Sequence, residues 1–421
     1  MNKMSPNGVT VNDRSYPFPG RTAVVICLDG CEPAYIDAAI DAGVMPTMKR
    51  IREKGTMHLA HCVIPSFTNP NNMSIATGQP PAVHGICGNF LLDPETGEEV
   101  MMNDPRFLRV PTIFKSFYDV GARIAIVTAK DKLRALLGHG LKFDEGRAMC
   151  FSTEKSDTTT LQDHGIENAS ESLDIPVPSV YSAELSEYVF NAGVKLMTSF
   201  NPDLMYLTTT DYVQHKAAPG TPDANAFYEM FDSYLTKLDA LGAAIIITAD
   251  HGMKAKHKAD GTPDVLYLQD LLDQEFGDGS CRVILPITDP YVVHHGALGS
   301  FATAYLKDGV DKASVITKLD SMNGVALVLD REAAAERFDL PSDRIGDLVI
   351  ISGENQVLGT SADRHDLTAL DVPLRSHGGL SEQVVPFIMN VAMPDLPEAP
   401  ILRNFDAYYY LTRAAALVSA K

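Results

Sequence analysis

Residues 23–30 of the chain read AVVICLDG, an unbroken apolar run that ends in an aspartate and a glycine. The pattern returns as LMYLTTTD at residues 204–211 and as AAIIITAD at residues 243–250. Short apolar runs without polar alternation are typical of strands in a parallel sheet, because helices cover both faces of such a sheet. The repetition therefore predicts three buried parallel strands, each followed by an aspartate.

The stretches between these runs indicate the architecture. A fourth apolar run occupies residues 122–127, and residues 46–54, 182–197 and 225–241 have the pattern of helices. Strands that alternate with helices predict an α/β fold with a mostly parallel sheet covered by helices. In such sheets, ligands bind at the carboxyl ends of the strands.

The pattern changes over residues 254–370. The strand-like segments CRVILPIT, SFATAYL, VALVLD and DLVIIS are interspersed with helix-like residues 312–322 and 331–338. We interpret residues 254–370 as a smaller α+β cap domain, inserted into a catalytic core that residues 1–253 and 371–421 form together.

Composition and charge exclude several classes of protein. The chain has 421 residues, 45% of them hydrophobic and 21% charged, as in ordinary globular proteins. Its net charge of −19 disfavours nucleic acid as a partner. The N-terminal residues lack the apolar centre of a signal peptide, no later segment is apolar enough to span a membrane, and the six cysteines form no C-x-x-C pair. We therefore expect a cytoplasmic protein with reduced thiols and no membrane contact.

Three aspartates follow the apolar runs, and histidines accompany two of them. Asp29, Asp211 and Asp250 are all expected at one edge of one sheet, where three like charges require a cation. His215 lies four residues after Asp211, on the same face of a helical turn, and His251 follows Asp250 directly. These residues predict a metal site.

His377 is a further candidate ligand, in the glycine-flanked segment SHGG. Mixed Asp and His ligands suit zinc or a similar ion. Two clusters of such ligands indicate two ions roughly 3.5–4 Å apart, an arrangement used in phosphoryl chemistry.

The segment PSFTNPNNMSIATG, at residues 65–78, supplies a candidate nucleophile. Asn69 followed by Pro70 predicts an N-cap and a first helical position, so Thr68 would lie immediately before a helix. Metal binding at the positive end of that helix would favour the threonine alkoxide and the anion that it attacks.

These segments together resemble the alkaline phosphatase superfamily, in its nucleotide pyrophosphatase/phosphodiesterase-like branch. The resemblance is carried, in the family's order, by VVICLDG, PSFTNPNNMSIATG, HGICGN, TTTDYVQH, ITADHGM and SHGG. It implies an alkaline-phosphatase-like core. It also implies two zinc ions per chain, one held by Asp211, His215 and His377 and the other by Asp29, Asp250 and His251.

The resemblance implies further roles around the ions. Thr68 matches the metal-bound nucleophile, which forms a phosphothreonine intermediate, and Asn89 matches the asparagine that binds a phosphoryl oxygen. Within the branch, the sequence is most similar to enzymes that hydrolyse the carbon–phosphorus bond of phosphonoacetate to acetate and phosphate. Lys130 and Lys132, in TAKDKLR after the run at residues 122–127, support this, because in an extended segment both ammonium groups could face the substrate carboxylate.

Two alternatives remain open. A nucleotide pyrophosphatase or phosphodiesterase would use the same two-zinc site, and an aromatic side chain that stacks on a nucleoside would favour it. A non-catalytic metal-binding protein would have lost a ligand or the nucleophile, and none is missing. The sequence leaves a homodimer open. The adjacent His294 and His295 have no acidic partner nearby, and we interpret them as structural or solvent-facing.

Overall fold

A computed structural model of the chain describes residues 8–287, 296–368, 370–393 and 402–418. The described strands are, in chain order, β1 (Val9–Val11), β2 (Arg14–Tyr16), β3 (Ala23–Cys27), β4 (Thr56–His61), β5 (Phe90–Leu92), β6 (Glu99–Met101), β7 (Ile124–Thr128), β8 (Ala148–Ser152), β9 (Leu204–Thr208), β10 (Ala244–Thr248), β11 (Lys254–Ala255), β12 (Val265–Tyr267), β13 (Cys281–Ile284), β14 (Phe301–Leu306), β15 (Val325–Asp330), β16 (Leu348–Ser352), β17 (Val357–Gly359), β18 (Arg375–Ser376) and β19 (Val384–Met389). The described α-helices are α1 (Pro33–Asp41), α2 (Pro46–Lys54), α3 (Thr68–Thr77), α4 (Pro81–His84), α5 (Ile113–Asp119), α6 (Asp131–Leu137), α7 (Leu161–His164), α8 (Ala169–Ser172), α9 (Glu184–Ser199), α10 (Tyr212–Lys216), α11 (Pro222–Ala240), α12 (Leu268–Phe276), α13 (Lys312–Asp320), α14 (Arg331–Phe338) and α15 (Ala407–Val418).

A seven-stranded sheet forms the centre of the fold, in the order β4–β19–β10–β3–β9–β7–β8. Strand β3 pairs in parallel with β10 on one side and with β9 on the other. Of these seven strands, β19 alone runs antiparallel to the other six. Every residue of β3, β7, β9 and β10 is buried, as expected of strands whose two faces are both covered. The predicted α/β fold with a mostly parallel sheet is confirmed.

The helices predicted from the sequence are present, and two of them have shifted ends. Helix α2 has the predicted bounds, whereas α9 begins and ends two residues later than predicted. Helix α11 begins three residues earlier, at Pro222, because proline suits the first helical turn, where its missing N–H is not needed. Helix α9 packs against β7 and β9, and α15 packs against β3 and β10. Among the described residues, no helix combines the length and the apolar character needed to span a membrane.

Residues 254–370 contain a second sheet, of four antiparallel strands in the order β13–β14–β16–β15. Helices α13 and α14 pack against β15. Phe301 of this sheet belongs to the same hydrophobic cluster as Val25 of the central sheet. The division into a core and an inserted cap remains a prediction, since the two sheets share one cluster. His294 and His295 lie outside the described residues.

The register of the central strands determines where the predicted site residues lie. Strands β3, β9 and β10 end level with one another, because Cys27 is paired with both Thr208 and Thr248. All three strands run in the same direction, so the chain leaves them at one edge of the sheet. Each of the three segments that follow carries one of the predicted aspartate ligands.

Candidate metal centre and active site

The turn after β3 packs tightly against the segments after β9 and β10. The N–H of Asp29 donates to Oγ1 of Thr209 at 2.9 Å, and the N–H of Gly30 donates to Oδ1 of Asp250 at 3.3 Å. Gly30 has a φ of +71°, and a Cβ at this position would lie 3.0 Å from Cβ of Asp211. Glycine adopts this left-handed backbone without strain and leaves room for the aspartate. The three aspartates therefore lie beside one another.

Asp29, Asp250 and His251 form one group of candidate ligands. Nε2 of His251 lies 3.1 Å from Oδ1 of Asp29 and 3.8 Å from Oδ2 of Asp250. All three residues are buried, and their ligand atoms lie within 4.8 Å of one another. The structure thus brings this predicted set together; its role in holding a metal ion remains a prediction.

Asp211, His215 and His377, the other predicted set, lie next to the first group. Oδ2 of Asp211 is 2.9 Å from Nε2 of His215 and 3.7 Å from Nε2 of His377. Among the described residues, however, the group around Asp211 whose ligand atoms lie within 4.8 Å of one another contains His251 and His377. The rings of these two histidines stack, with centroids 3.5 Å apart and planes inclined by 4°. The two predicted clusters therefore form one continuous centre, and His251 lies at their junction.

The three histidines direct the same ring nitrogen towards this centre. In each of them Nδ1 lies 2.7 to 2.8 Å from a backbone carbonyl oxygen, that of Arg375 for His215, of Gly252 for His251 and of Ser66 for His377. A carbonyl oxygen only accepts hydrogen bonds, so Nδ1 carries the hydrogen, and a neutral ring offers the lone pair of Nε2 to the centre. Backbone partners of this kind are what orient histidines that bind metal ions.

The electrostatics of the centre also fit a cation. Oδ1 of Asp29 and Nε2 of His251 are buried atoms without a hydrogen-bond partner among the described residues. Burial raises the pKa of Asp29 and of Asp250, and the nearby Asp211 carboxylate raises both further. Burial lowers the pKa of His251, but the Asp250 and Asp29 carboxylates outweigh burial and raise it to about 10. The centre therefore favours positive charge, and carboxylate oxygens with imidazole nitrogens are donors that zinc accepts.

Thr68 is the first residue of α3, at the positive end of that helix. The prediction that Asn69 is the N-cap was wrong, because Phe67 is the N-cap and the Asn69 side chain donates instead to the Met102 carbonyl at 3.0 Å. Pro70 fits within the first turn, where backbone N–H groups have no acceptor in the helix. Thr68 thus lies inside the first turn rather than before it.

Thr68 borders a cavity of about 50 Å³ at this edge of the sheet. Four of the six candidate metal ligands line the same cavity, together with Asn89, Lys130 and Lys132. Oδ1 of Asn89 accepts the backbone N–H of Asn69 at 2.9 Å. The amide nitrogen of Asn89 is the group that can donate to a ligand, since the oxygen faces the helix.

Lys130 and Lys132 both line the cavity, but the backbone that carries them differs from the predicted one. The extended segment expected there is wrong for Lys132, because α6 begins at Asp131 and Lys130 is its N-cap. Three buried leucines in DKLRALL favour a helix with one apolar face. Nζ of Lys130 lies 5.1 Å from the ring centroid of Tyr181.

Two residues at the site were missed by the sequence analysis. The side chain of Asn72 donates to Asp250, and the carbonyl oxygen of Arg375 is the partner of His215. Asn72 lies four residues after Thr68, and this helical spacing is a signal that could have identified it. For Arg375 the sequence offers no comparable signal.

The fold is alkaline-phosphatase-like. Residues 23–379 match the family of type I phosphodiesterases and nucleotide pyrophosphatases. Because the match extends over most of the chain, the chain belongs to this family.

Solved structures extend the comparison. The chain is 70% identical to the phosphonoacetate hydrolase of Sinorhizobium meliloti 1021, solved in complexes with phosphonoacetate and with phosphonoformate. The alignment covers 98% of this chain and 100% of that enzyme, with a TM-score of 0.95. Murine ectonucleotide pyrophosphatase/phosphodiesterase 5 has the same fold at 17% identity, with a TM-score of 0.62 over 93% of this chain and 94% of that one. At 70% identity over its full length to a hydrolase, the chain is an enzyme of the hydrolase class.

Proposed function

We propose that this hydrolase cleaves the carbon–phosphorus bond of phosphonoacetate to give acetate and phosphate. The observation that carries the proposal is the meeting of three features at one cavity: the Asp and His centre, Thr68, and the lysine pair Lys130 and Lys132. The high identity to an enzyme solved with phosphonoacetate supports it.

Two zinc ions are part of this proposal. Asp211, His215 and His377 would hold one, and Asp29, Asp250 and His251 the other. When bound, zinc supplies Lewis-acid stabilisation of phosphoryl oxygens and favours loss of the threonine proton. The Nε2 atoms that face the centre and the carboxylates beside them are consistent with this assignment.

Thr68 is the proposed nucleophile. Its hydroxyl oxygen forms a bond to phosphorus as the carbon–phosphorus bond breaks, and the electron pair of that bond passes to the methylene carbon. The hydroxyl proton passes to solvent, and the methylene carbon takes up a proton from solvent to give acetate, so this step involves no net change in protons. Water then attacks phosphorus in the phosphothreonine, which releases phosphate and restores the hydroxyl. The first turn of α3 favours the negative charge that develops beside Thr68.

Asn89 and the two lysines stabilise the remaining charge. The amide nitrogen of Asn89 would donate to a phosphoryl oxygen of the transferred group. The leaving group is a carbanion delocalised into the neighbouring carboxylate, and it leaves poorly unless that charge is neutralised. Lys130 and Lys132 supply positive charge on the wall of the cavity where the carboxylate would bind.

Local charge favours a small anion although the whole chain carries a net charge of −19. Two divalent ions would exceed the charge of the three aspartates by about one, and the two lysines would raise the local surplus to about three. A doubly anionic molecule, with a phosphonate at one end and a carboxylate at the other, suits this distribution.

Nucleotide pyrophosphatase or phosphodiesterase activity is the second candidate, and the family match over residues 23–379 favours it. A nucleoside would be expected to stack on an aromatic side chain. Among the described residues that line the cavity, none is Phe or Tyr. A non-catalytic metal-binding protein is not supported, because all six candidate ligands and Thr68 lie at one site.

We also propose that the enzyme acts in the cytoplasm. All six cysteines are buried free thiols, and thiols of this kind are usual in a reducing compartment. A homodimer remains a prediction.

The test compares phosphate release from phosphonoacetate with hydrolysis of a nitrophenyl phosphate diester, on a preparation whose metal content is measured. We expect a higher kcat/KM for phosphonoacetate and about two zinc ions per chain. A higher kcat/KM for the diester would favour the phosphodiesterase. Zinc-loaded protein that releases no phosphate from phosphonoacetate would contradict the proposal.

A further inference from the structure

Asn72 joins the helix of the proposed nucleophile to the proposed metal centre. Its side chain is fully buried, and Nδ2 donates to the carbonyl oxygen of Thr68 at 2.9 Å and to Oδ2 of Asp250 at 3.1 Å. Oδ1 accepts the hydroxyl of Tyr206 at 2.7 Å. Both amide hydrogens and the amide oxygen thus have partners, and a flipped amide would lose the hydrogen bonds to Thr68 and Asp250, because a carbonyl and a carboxylate only accept.

The hydrogen bonds of Asp250 show why this contact matters. Oδ1 accepts the backbone N–H groups of Gly30 and His251, at 3.3 and 3.1 Å, and Oδ2 accepts from Asn72. A carboxylate has about four acceptor positions. Three of them have donors among the described residues, and the fourth is on Oδ2, the oxygen that faces Nε2 of His251. Asn72 therefore orients the oxygen that has an acceptor position left for a cation.

Tyr206 holds the oxygen end of the Asn72 amide. The tyrosine lies in β9 and is fully buried, and its hydroxyl donates to Oδ1 of Asn72. The Thr68 carbonyl and the Asp250 carboxylate only accept hydrogen bonds, so the amide nitrogen faces them, and the amide oxygen is held in place by Tyr206. The chain from the tyrosine hydroxyl to the carboxylate consists only of buried groups, which makes each hydrogen bond stronger than it would be in water.

We propose that Asn72 is a positioning residue that holds Asp250 and the backbone of Thr68 in a fixed relation. The inference rests on the proposed function, in which Asp250 binds zinc and Thr68 attacks phosphorus. A single side chain contacts both, so its loss should change zinc affinity and kcat together. Residues that orient metal ligands typically contribute roughly 10–100-fold to metal affinity or activity.

Asn72→Leu tests the proposal directly, because leucine has a similar volume and no donor. Zinc affinity is measured by competition with a chromogenic chelator, and kcat and KM for phosphonoacetate are measured at saturating zinc. We expect zinc affinity to fall roughly 10–100-fold, with a lowered kcat that saturating zinc does not fully restore, and little change in KM. Unchanged zinc affinity would overturn the proposal, as would a wild-type chain that binds no zinc.

A matched pair of conservative variants keeps the test valid where Asn72→Leu does not fold. Tyr206→Phe removes the hydroxyl that holds the amide oxygen of Asn72 in place. Tyr408→Phe removes another buried hydroxyl of the same aromatic cluster, one that donates to the Met205 carbonyl; the two tyrosine rings are 6.5 Å apart. We expect Tyr206→Phe to weaken zinc binding about threefold to tenfold and Tyr408→Phe to leave it within about twofold. Equal zinc affinities of the two variants would contradict the positioning role and show that Asn72 contributes only to packing.

The measurements also separate this inference from the proposed function. Zinc-binding wild-type protein that releases no phosphate from phosphonoacetate would refute the substrate, while a difference in zinc affinity between the two tyrosine variants would still support the role of Asn72. Hydrolysis of phosphonoacetate by the wild type, with no such difference, would refute the role of Asn72 alone.

Discussion

Two walls of one cavity are built in different ways. The ligand wall is the set of six candidate metal ligands, four of which line the cavity itself: Asp29, Asp211, His215 and His377, together with Asp250 and His251. Its side chains are largely buried, and backbone groups hold each histidine ring and Asp250. The lysine wall consists of Lys130 and Lys132 at the start of α6, both partly exposed. Tyr181, beside Lys130, is 48% exposed.

The difference indicates that the two walls have different roles. Donors fixed by burial and backbone contacts suit a cation, whose ligands must keep their geometry through each reaction cycle. Long cationic side chains at a partly exposed position suit a carboxylate that must enter and leave. The ligand wall should therefore affect every phosphoryl substrate, and the lysine wall only a substrate with a carboxylate leaving group.

Removal of metal ions should have the largest effect, because it disables the ligand wall as a whole. Dialysis against a strong chelator is expected to abolish phosphate release from phosphonoacetate and hydrolysis of the aryl diester alike, and added zinc should restore both. Rates and metal content are measured on the same samples. A metal-free preparation that retains its rate on either substrate would show that the ligand wall does not work through a bound ion.

Thr68→Ala should have the next largest effect. We expect kcat to fall about a thousandfold or more on both substrates, because the oxygen that attacks phosphorus is gone. Zinc content should stay close to that of the wild type, since the six residues of the ligand wall are intact. Thr68→Ser is the control, because it keeps a hydroxyl and should retain measurable turnover. Full activity of the alanine variant would exclude a covalent phosphothreonine.

Substitutions in the lysine wall should have smaller effects, and these effects should depend on the substrate. Lys130→Ala and Lys132→Ala are each expected to lower kcat/KM for phosphonoacetate about 10–100-fold, as a charge-assisted hydrogen bond is worth about 1.5–3 kcal/mol. Hydrolysis of the aryl diester should change less than about threefold. Lys155→Ala is the control, because the Nζ of Lys155 lies 3.9 Å from Asp131 and the residue does not line the cavity. Equal losses on both substrates would contradict a role in carboxylate binding.

The sequence predicts the ligand wall better than the lysine wall, for a physical reason. Unbroken apolar runs indicate strands that are buried on both faces of a sheet, and the carboxyl ends of parallel strands meet at one edge of that sheet. Asp29 and Asp250 could therefore be placed from local pattern and topology alone. Lys132 could not, since the apolar face that makes α6 a helix depends on what packs against it.

Other features of the site depend on contacts between distant parts of the chain. Asn72 meets Asp250 across 178 residues and Tyr206 across 134 residues. The spacing from Thr68 can single out Asn72, but no local pattern encodes its distant partners. The start of α3 was mispredicted for the same reason, because Asn69 donates to Met102, 33 residues away, instead of capping the helix.

Tyr181 should show the smallest effect, and it tests how firmly the lysine wall is held. Its ring lies 5.1 Å from Nζ of Lys130, and a cation–π contact at an exposed site is worth about 0.5–1 kcal/mol. Tyr181→Ala is therefore expected to raise KM for phosphonoacetate about 2–5-fold, because the ammonium group must be ordered when the substrate binds.

Tyr181→Phe keeps the face of the ring and is expected to keep the wild-type KM within about twofold. The aryl diester, which does not need Lys130, should be hydrolysed equally well by both variants. If the alanine variant keeps the wild-type KM for phosphonoacetate, Lys130 is positioned by its other neighbours. If both variants raise that KM equally, the hydroxyl of Tyr181, rather than its ring, acts on the substrate, and the lysine wall then includes a polar group as well as two charges.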